Sequence, residues 1–218
     1  MNKENILSKI NKMSEEELID LARSTYDVEI LNILAVNANY EVRCTVAENK
    51  NTPVELLAVL AKDEDIDVRR AVVENKNTRI ETLVMLASDK SWWVRSDVAD
   101  NRNTPVNVLV MLAKDEDYDV RWAVANNRNT PVNVLAMLAK DEDIDVRIEV
   151  AENENTSVDV LAELAKDVDD VRRAVVNNPN TSYNTLIMLT KDKNVYISKT
   201  AEEALKECKE KGRTNIER

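Results

Sequence analysis

The chain has 218 residues, 44% hydrophobic and 33% charged, with 30 basic against 41 acidic side chains and a net charge of −11. That surplus opposes sequence-independent attraction to nucleic-acid backbones or anionic lipid, and no run approaches the ~20 apolar residues that span a bilayer. One glycine and no histidine argue against a hairpin-rich sheet, whose tight turns need positive φ, and remove the commonest general acid–base group.

The first segment, MNKENILSKI, lacks a secretory h-region, and Cys44 and Cys208 are too far apart in sequence to suggest a disulfide framework. Both features fit a reducing, cytoplasmic setting. Ser14-x-x-Glu17 is a capping box that predicts an amphipathic helix through Leu21. Residues 1–24 therefore read as an N-terminal helical cap. From Thr25 the chain repeats itself. Asn-Thr recurs at Asn51, Asn77, Asn103, Asn129, Asn155 and Asn180, at spacings of 26, 26, 26, 26 and 25 residues. A degenerate copy, recognisable by Val28, Leu31, Leu34, Val42, Arg43 and Asn49, precedes them. Copies thus start at 25, 51, 77, 103, 129, 155 and 180, and the pattern runs to about Asp192. Residues 193–218 read as a capping helix over Ala201–Lys211, stopped by Gly212, and a tail. The whole forms one continuous domain, since a repeat array needs caps over its terminal apolar faces.

Within the copy Asn129–Glu154, Thr130 is suited to N-cap a first helix with Pro131 at its first position. Thr52-x-x-Glu55 offers a full capping box in its own copy. Val132, Leu135, Leu138 and Ala139 give that helix an apolar stripe. Asp143 and Asp145 then open a second, short helix over about Val146–Asn153, which buries Val146 and Val150.

A period of 26 is too short for tetratricopeptide or HEAT units, and the strand signature of ordinary leucine-rich repeats is missing. The unit NTPVELLAVLAKDEDIDVRRAVVEN, Asn51–Asn75, resembles the leucine-rich repeat variant family, and the pattern covers Thr25 to about Asp192. The resemblance implies an all-α, right-handed superhelix in which an α-helix alternates with a short, partly 3₁₀ helix. Some members carry an N-terminal cysteine cluster for an iron–sulfur centre. No cysteine precedes Cys44 here, so no cofactor carries over.

Rows that stay constant between copies should hold the repeats together. Arg69, Arg95, Arg121 and Arg147, with Arg43 and Arg172, are expected to pair with the constant Asp63, Asp89, Asp115, Asp141 and Asp167, or with helix C-terminal carbonyls, of their own or the neighbouring repeat, a task suited to planar, always-charged Arg. Asn75, Asn101, Asn127 and Asn153 are expected to satisfy orphan backbone groups at the turns. The row Met85, Met111, Met137 and Met188 reads as half-exposed packing, and the acidic loops lack the glycine and glutamate spacing of an EF-hand.

The second helix is expected to present four rows to solvent. They contain Glu41, Asp67, Trp93, Asp119, Asp145, Asp170; Cys44, Arg70, Ser96, Trp122, Ile148, Arg173; Thr45, Ala71, Asp97, Ala123, Glu149, Ala174; and Glu48, Glu74, Asp100, Asn126, Glu152, Asn177. Trp92 falls in a row with Tyr40, Ile66, Tyr118 and Ile144 and reads as core, whereas Trp93 and Trp122 read as exposed. Eleven carboxylates stand against two arginines in these rows, so a groove lined by them is acidic with an apolar centre.

The expectation is a non-enzymatic, monomeric scaffold that binds a basic protein or peptide segment with apolar anchors. Trp93, Trp122, Ile148, Arg70, Arg173, Ser96, Asp97, Asp119, Glu149 and Asn126 are the candidate contacts. A nucleic-acid-binding solenoid, stacking bases on the tryptophans, is the alternative that the acidic rows oppose. The near-identity of 103–128 and 129–154 leaves an engineered repeat chain open, while the 25-residue copy and SDKSWWVR point to natural drift. Catalysis is disfavoured because a catalytic site is a singular constellation, and the carboxylates here recur as rows. No metal-ligand spacing is present.

Overall fold

A computed structural model describes residues 3–210 of the chain; Gly212, the expected helix stop, lies outside the described residues. Among the described residues the secondary structure is all α-helical, sixteen helices with no strand. The molecule divides into two compact units, Met1–Val108 and Leu109–Arg218.

The first unit opens with α1 (Lys3–Ile10) and α2 (Glu15–Ser24). Ser14 and Glu17 form the reciprocal capping box at the start of α2, with the Ser14 amide 2.8 Å from a Glu17 carboxylate oxygen. Seven- and nine-residue helices then alternate: α3 (Val28–Leu34), α4 (Tyr40–Glu48), α5 (Val54–Leu60), α6 (Ile66–Glu74), α7 (Ile80–Leu86) and α8 (Trp92–Asp100). The nine-residue helices stack on one another, α4 on α6 and α6 on α8, and α2 packs on α4 in the same way. The cap helix thus occupies the place of a preceding second helix. Each short helix contributes two leucines, Leu57 and Leu60 in α5, and each long helix two valines, Val68 and Val72 in α6, all at most 2% exposed. Each such side chain contributes roughly 1.5–3 kcal/mol on burial.

The second unit begins within α9 (Val106–Leu112) and continues with α10 (Tyr118–Asn126), α11 (Val132–Leu138), α12 (Ile144–Glu152), α13 (Val158–Leu164), α14 (Asp169–Asn177), α15 (Tyr183–Leu189) and α16 (Val195–Glu210). Here α10, α12, α14 and α16 form the stack. Leu135, Leu138, Val146 and Val150 are buried, but Val132 is exposed and Val134 takes the core position expected of it. The register is one in which the first residue of the short helix faces solvent.

Two further expectations change. Both helices of the repeat are α, and 3₁₀ bonding occurs only at helix ends: Leu56 N–H donates to Pro53 O and Lys62 N–H to Val59 O at 3.0 Å about the short helix, and Asn49 N–H to Val46 O at 3.2 Å at the end of the long one. The Thr of Asn-Thr does not cap the helix that follows it. Pro53 and Pro131 are the N-caps of α5 and α11, with no side-chain cap bond. Thr52, Thr78, Thr130, Thr156 and Thr181 are buried, and each hydroxyl donates backward to a carbonyl in the last turns of the preceding second helix, Val46, Val72, Val124, Val150 and Val175 respectively. Glu55 forms no capping box and instead meets Arg79 at 3.3 Å on the surface. The second helix is capped as its acids suggest: Asp65, Asp117 and Asp143 each accept from the amide two residues on, at 2.8–3.0 Å.

The constant rows tie each repeat to its neighbours. In the first unit, Arg43 grips Asp63 through two bonds of 2.7 and 2.8 Å, and Arg69 grips Asp89 at 2.6 and 3.0 Å. Arg95 donates to the Asp89 carbonyl at 2.9 Å. In the second unit, Arg121 holds Asp141, Arg147 holds Asp167 and Arg172 holds Asp192 in the same bidentate form. The remaining guanidinium nitrogen of Arg69 or Arg121 reaches carbonyls of its own loop. Burial pushes the Asp63, Asp89 and Asp141 carboxyls up, but the Arg bonds and backbone amides outweigh it and hold all three below the ordinary aspartate value.

Asparagine ties run the other way. Asn75 donates to Ala47 O at 2.6 Å and Asn49 O at 3.1 Å, Asn101 to Val73 O at 2.7 Å, and Asn153 to Ala125 O at 2.6 Å. Asn127 accepts from the Asn129 amide at 2.8 Å. No buried side-chain nitrogen or oxygen among the described residues lacks a partner. The 25-residue copy loses its residue between Asp167 and Arg172, so both Arg ties survive. The cost is local: α14 starts after Val168, an N-cap without a side-chain bond.

Candidate binding surface

The nine-residue helices each leave one long side at least partly exposed. On α4, α6, α8, α10, α12 and α14 the rows of Glu41, of Cys44 and of Glu48 are exposed or half-buried. The row of Thr45 is different. Thr45, Ala71, Ala123 and Ala174 are at most 6% exposed, because small side chains there let adjacent long helices approach. Only its two carboxylates, Asp97 and Glu149, remain half-buried. Trp92 is half-buried rather than core, and Tyr40 and Tyr118 of the same row are 42% and 47% exposed.

In the first unit, four candidate residues, Arg70, Trp93, Ser96 and Asp97, lie on α6 and α8. Three of them meet. The Arg70 guanidinium sits 5.1 Å from the Trp93 ring centroid and its Nε donates to Asp97 Oδ2 at 2.6 Å. Cation and indole attract through the ring quadrupole, and the carboxylate fixes the guanidinium in place. Trp93 also stacks on Trp92, with centroids 4.6 Å apart and planes tilted by 30°. Ser96 is half-buried. Nearby, burial first, and then the charges of Glu48 and Asp67, push the Cys44 thiol up to about 12.

In the second unit, Tyr118, Asp119 and Trp122 on α10 and Asp145 and Ile148 on α12 line a shallow hollow. Spacing explains the grouping: 118, 119 and 122 share a helix face at i, i+1 and i+4, and 145 and 148 are the matching positions one repeat on. Trp122 is 37% exposed. Tyr118 is shared with a second, mainly polar hollow lined also by Glu116, Asp117, Arg121, Glu142 and Asp143. Burial raises the Asp119 carboxyl, and the charges of Asp117 and Asp143 raise it further. Of the other candidates, Arg173 pairs with Asp170 of its own helix at 2.9 Å, Asn126 is exposed and Glu149 is half-buried.

A family model described as leucine rich repeat variant matches residues 40–65, one copy of the repeat. A solved structure described as a leucine-rich repeat variant with a novel repetitive structural motif is similar over 94% of this chain and 82% of its own, at 28% identity and a TM-score of 0.74. The repeat is therefore similar to a leucine-rich repeat variant in both sequence and fold. The Escherichia coli YibA structure is similar over 94% of this chain and 97% of its own, at 21% identity and a TM-score of 0.56. No curated protein sequence matches the chain.

Three of the five hollow residues, Asp119, Trp122 and Ile148, stand among those picked from the sequence. Tyr118 and Asp145 do not. The i, i+4 relation of Tyr118 to Trp122 is the signal that identifies it. No group of three or more Asp, Glu or Cys among the described residues is arranged to hold a metal ion. No described helix is long and apolar enough to cross a membrane.

Proposed function

We propose that the chain is a non-enzymatic scaffold for another protein's segment, and that the hollow of Tyr118, Asp119, Trp122, Asp145 and Ile148 receives an apolar side chain with a basic one beside it. The observation that carries this reading is a part-exposed indole that lines a shallow hollow together with two carboxylates. Trp122, Ile148 and the Tyr118 ring lose water when an aliphatic side chain docks, and both aromatic faces attract a cation. Asp119 and Asp145 supply the charge that steers and selects a basic partner. Carboxylates recur from repeat to repeat, and the reading assigns none of them a catalytic part.

Selection of peptides from a random library on the full chain tests it. Enriched sequences should pair Lys or Arg with a large aliphatic residue, and Trp122→Ala should weaken them by about 30-fold or more, the effect of a binding hot spot. Enrichment that ignores Trp122, or salt-sensitive retention on DNA or RNA at low ionic strength, would overturn the proposal.

A further inference from the structure

We propose that the basic residue this hollow takes from a partner is arginine in preference to lysine, its guanidinium lying on the Trp122 ring and donating to Asp145. The inference rests on the reading of the hollow given above and names the partner's side chain.

The register of the long helices carries it. The fifth residue of one long helix meets the second residue of the next. In the first unit Cys44, fifth in α4, donates its thiol hydrogen to the carbonyl of Asp67, second in α6, at 3.7 Å. Arg70, fifth in α6, lies over the ring of Trp93, second in α8, at 5.1 Å from the centroid. In the second unit Trp122, fifth in α10, and Asp145, second in α12, line one hollow. The α6–α8 junction thus holds a complete set of cation, indole and carboxylate in Arg70, Trp93 and Asp97. The α10–α12 junction holds an indole and two carboxylates, and none of the five residues lining it is basic. A partner's guanidinium completes the same set there.

The geometry of the complete set separates arginine from lysine. A guanidinium is flat, so it can lie face-on to an indole while an edge N–H donates to a carboxylate. Arg70 does this, with its Nε 2.6 Å from Asp97 Oδ2. An ammonium is a compact, strongly hydrated point charge, and a shallow, open hollow gives it little reason to shed that water. The receiving side favours a cation. Burial first, and then the charge of Asp117, raise the Asp119 carboxyl, while a hydrogen bond with Tyr118 works the other way. With Asp119 engaged by Tyr118, Asp145, exposed at the start of α12, is the carboxylate that takes the guanidinium edge. Ile148 and the Tyr118 ring remain for the aliphatic neighbour.

The test uses short glycine-based peptides that carry one leucine and one arginine at adjacent or alternate positions. Matched sets replace the arginine by lysine or by citrulline, which keeps the planar shape and removes the charge. Binding to the full chain at low salt is read from the indole N–H signals in nitrogen-15 NMR spectra, and circular dichroism verifies that each variant is folded. The best arginine peptide should shift the Trp122 signal and bind about tenfold or more tightly than its lysine and citrulline forms. Trp122→Phe, which keeps a ring, should weaken binding and preserve the preference. Asp145→Asn should reduce the preference to within about threefold. Arg70→Ala uncovers the Trp93 ring, and the arginine set, unlike the lysine set, should then shift the Trp93 signal as well. An arginine set that leaves Trp122 unshifted, a preference untouched by Asp145→Asn, or a Trp93 signal that stays still in Arg70→Ala would each overturn the inference. Arginine and lysine peptides that shift Trp122 alike sink the preference and leave the scaffold reading standing, whereas a library that yields no peptide dependent on Trp122 sinks both.

Discussion

Trp93 in the unit Met1–Val108 and Trp122 in the unit Leu109–Arg218 are tryptophans on second helices of the same repeat, yet their surroundings differ. Trp93 has Arg70 above its ring and Trp92 beside it. Trp122 lies in a hollow with Tyr118, Ile148 and two carboxylates. The row that places Arg70 in one repeat places Trp122 and Ile148 in others. One position in this repeat can therefore supply either a cation or the surface that receives one, without disturbing the valines and leucines beneath.

Several substitutions would break or sharpen that contrast. The largest effect belongs to the ties under both surfaces. Asp141→Ala strands the buried Arg121 guanidinium, and loss of one partner of such a pair costs about 3–5 kcal/mol, read as a shift of the urea unfolding midpoint. If Asp141→Ala were nearly neutral, the ladder would be as superficial as the Arg70 pair. Next comes Trp122→Ala, expected to remove about 2 kcal/mol or more of partner binding in calorimetry while the melting temperature stays within a few degrees. Trp93→Ala should do the reverse, leaving affinity within about threefold and lowering stability by about 1 kcal/mol as Arg70 loses its ring. Arg70→Ala should cost about 1 kcal/mol, since the Arg70–Asp97 pair is only half-buried, and should increase quenching of tryptophan fluorescence by acrylamide.

The smallest effect is on pH. Asp63, Asp89 and Asp141 have folded values below the ordinary one, so their stabilisation is complete above the ordinary aspartate range and is lost as pH falls through those folded values. Asp119 is shifted the other way and takes up its proton at higher pH. On acidification, affinity for a basic peptide should therefore weaken before helicity declines. Parallel titrations by fluorescence anisotropy and circular dichroism would show the two curves separated, and coincident curves would remove Asp119 from the binding surface.

Much of this fold is legible in the sequence because a repeat states each requirement several times. Arginine, aspartate and asparagine recur at fixed offsets, and such offsets translate into bonds of fixed reach. Thr130 misleads because Thr-Pro before an apolar run has the look of an N-cap, while the buried hydroxyl finds a carbonyl behind it. The row of Thr45 misleads because helical spacing alone places it on the outer side; its small residues, Ala71, Ala123 and Ala174, mark close helix packing instead. The meeting of Arg70 with Trp93 depends on how two long side chains bend between neighbouring helices, and periodicity carries no information about that. Tyr118 is hidden by its row, whose isoleucines suggest a core that the helix does not bury.

The ties between repeats have a consequence for how such a chain can lengthen. An arginine reaches forward by 20 residues, and an asparagine amide reaches back by 24 to 28, so no tie skips a repeat. Duplicating or deleting a whole unit restores every one of these bonds at the new junction. A change of any other size must fall where nothing counts residues, and the shortened loop before α14 is such a place, with Arg147 and Arg172 still on their partners either side of it. Growth of this molecule by copying thus leaves each new face open to change while its joints arrive ready-made.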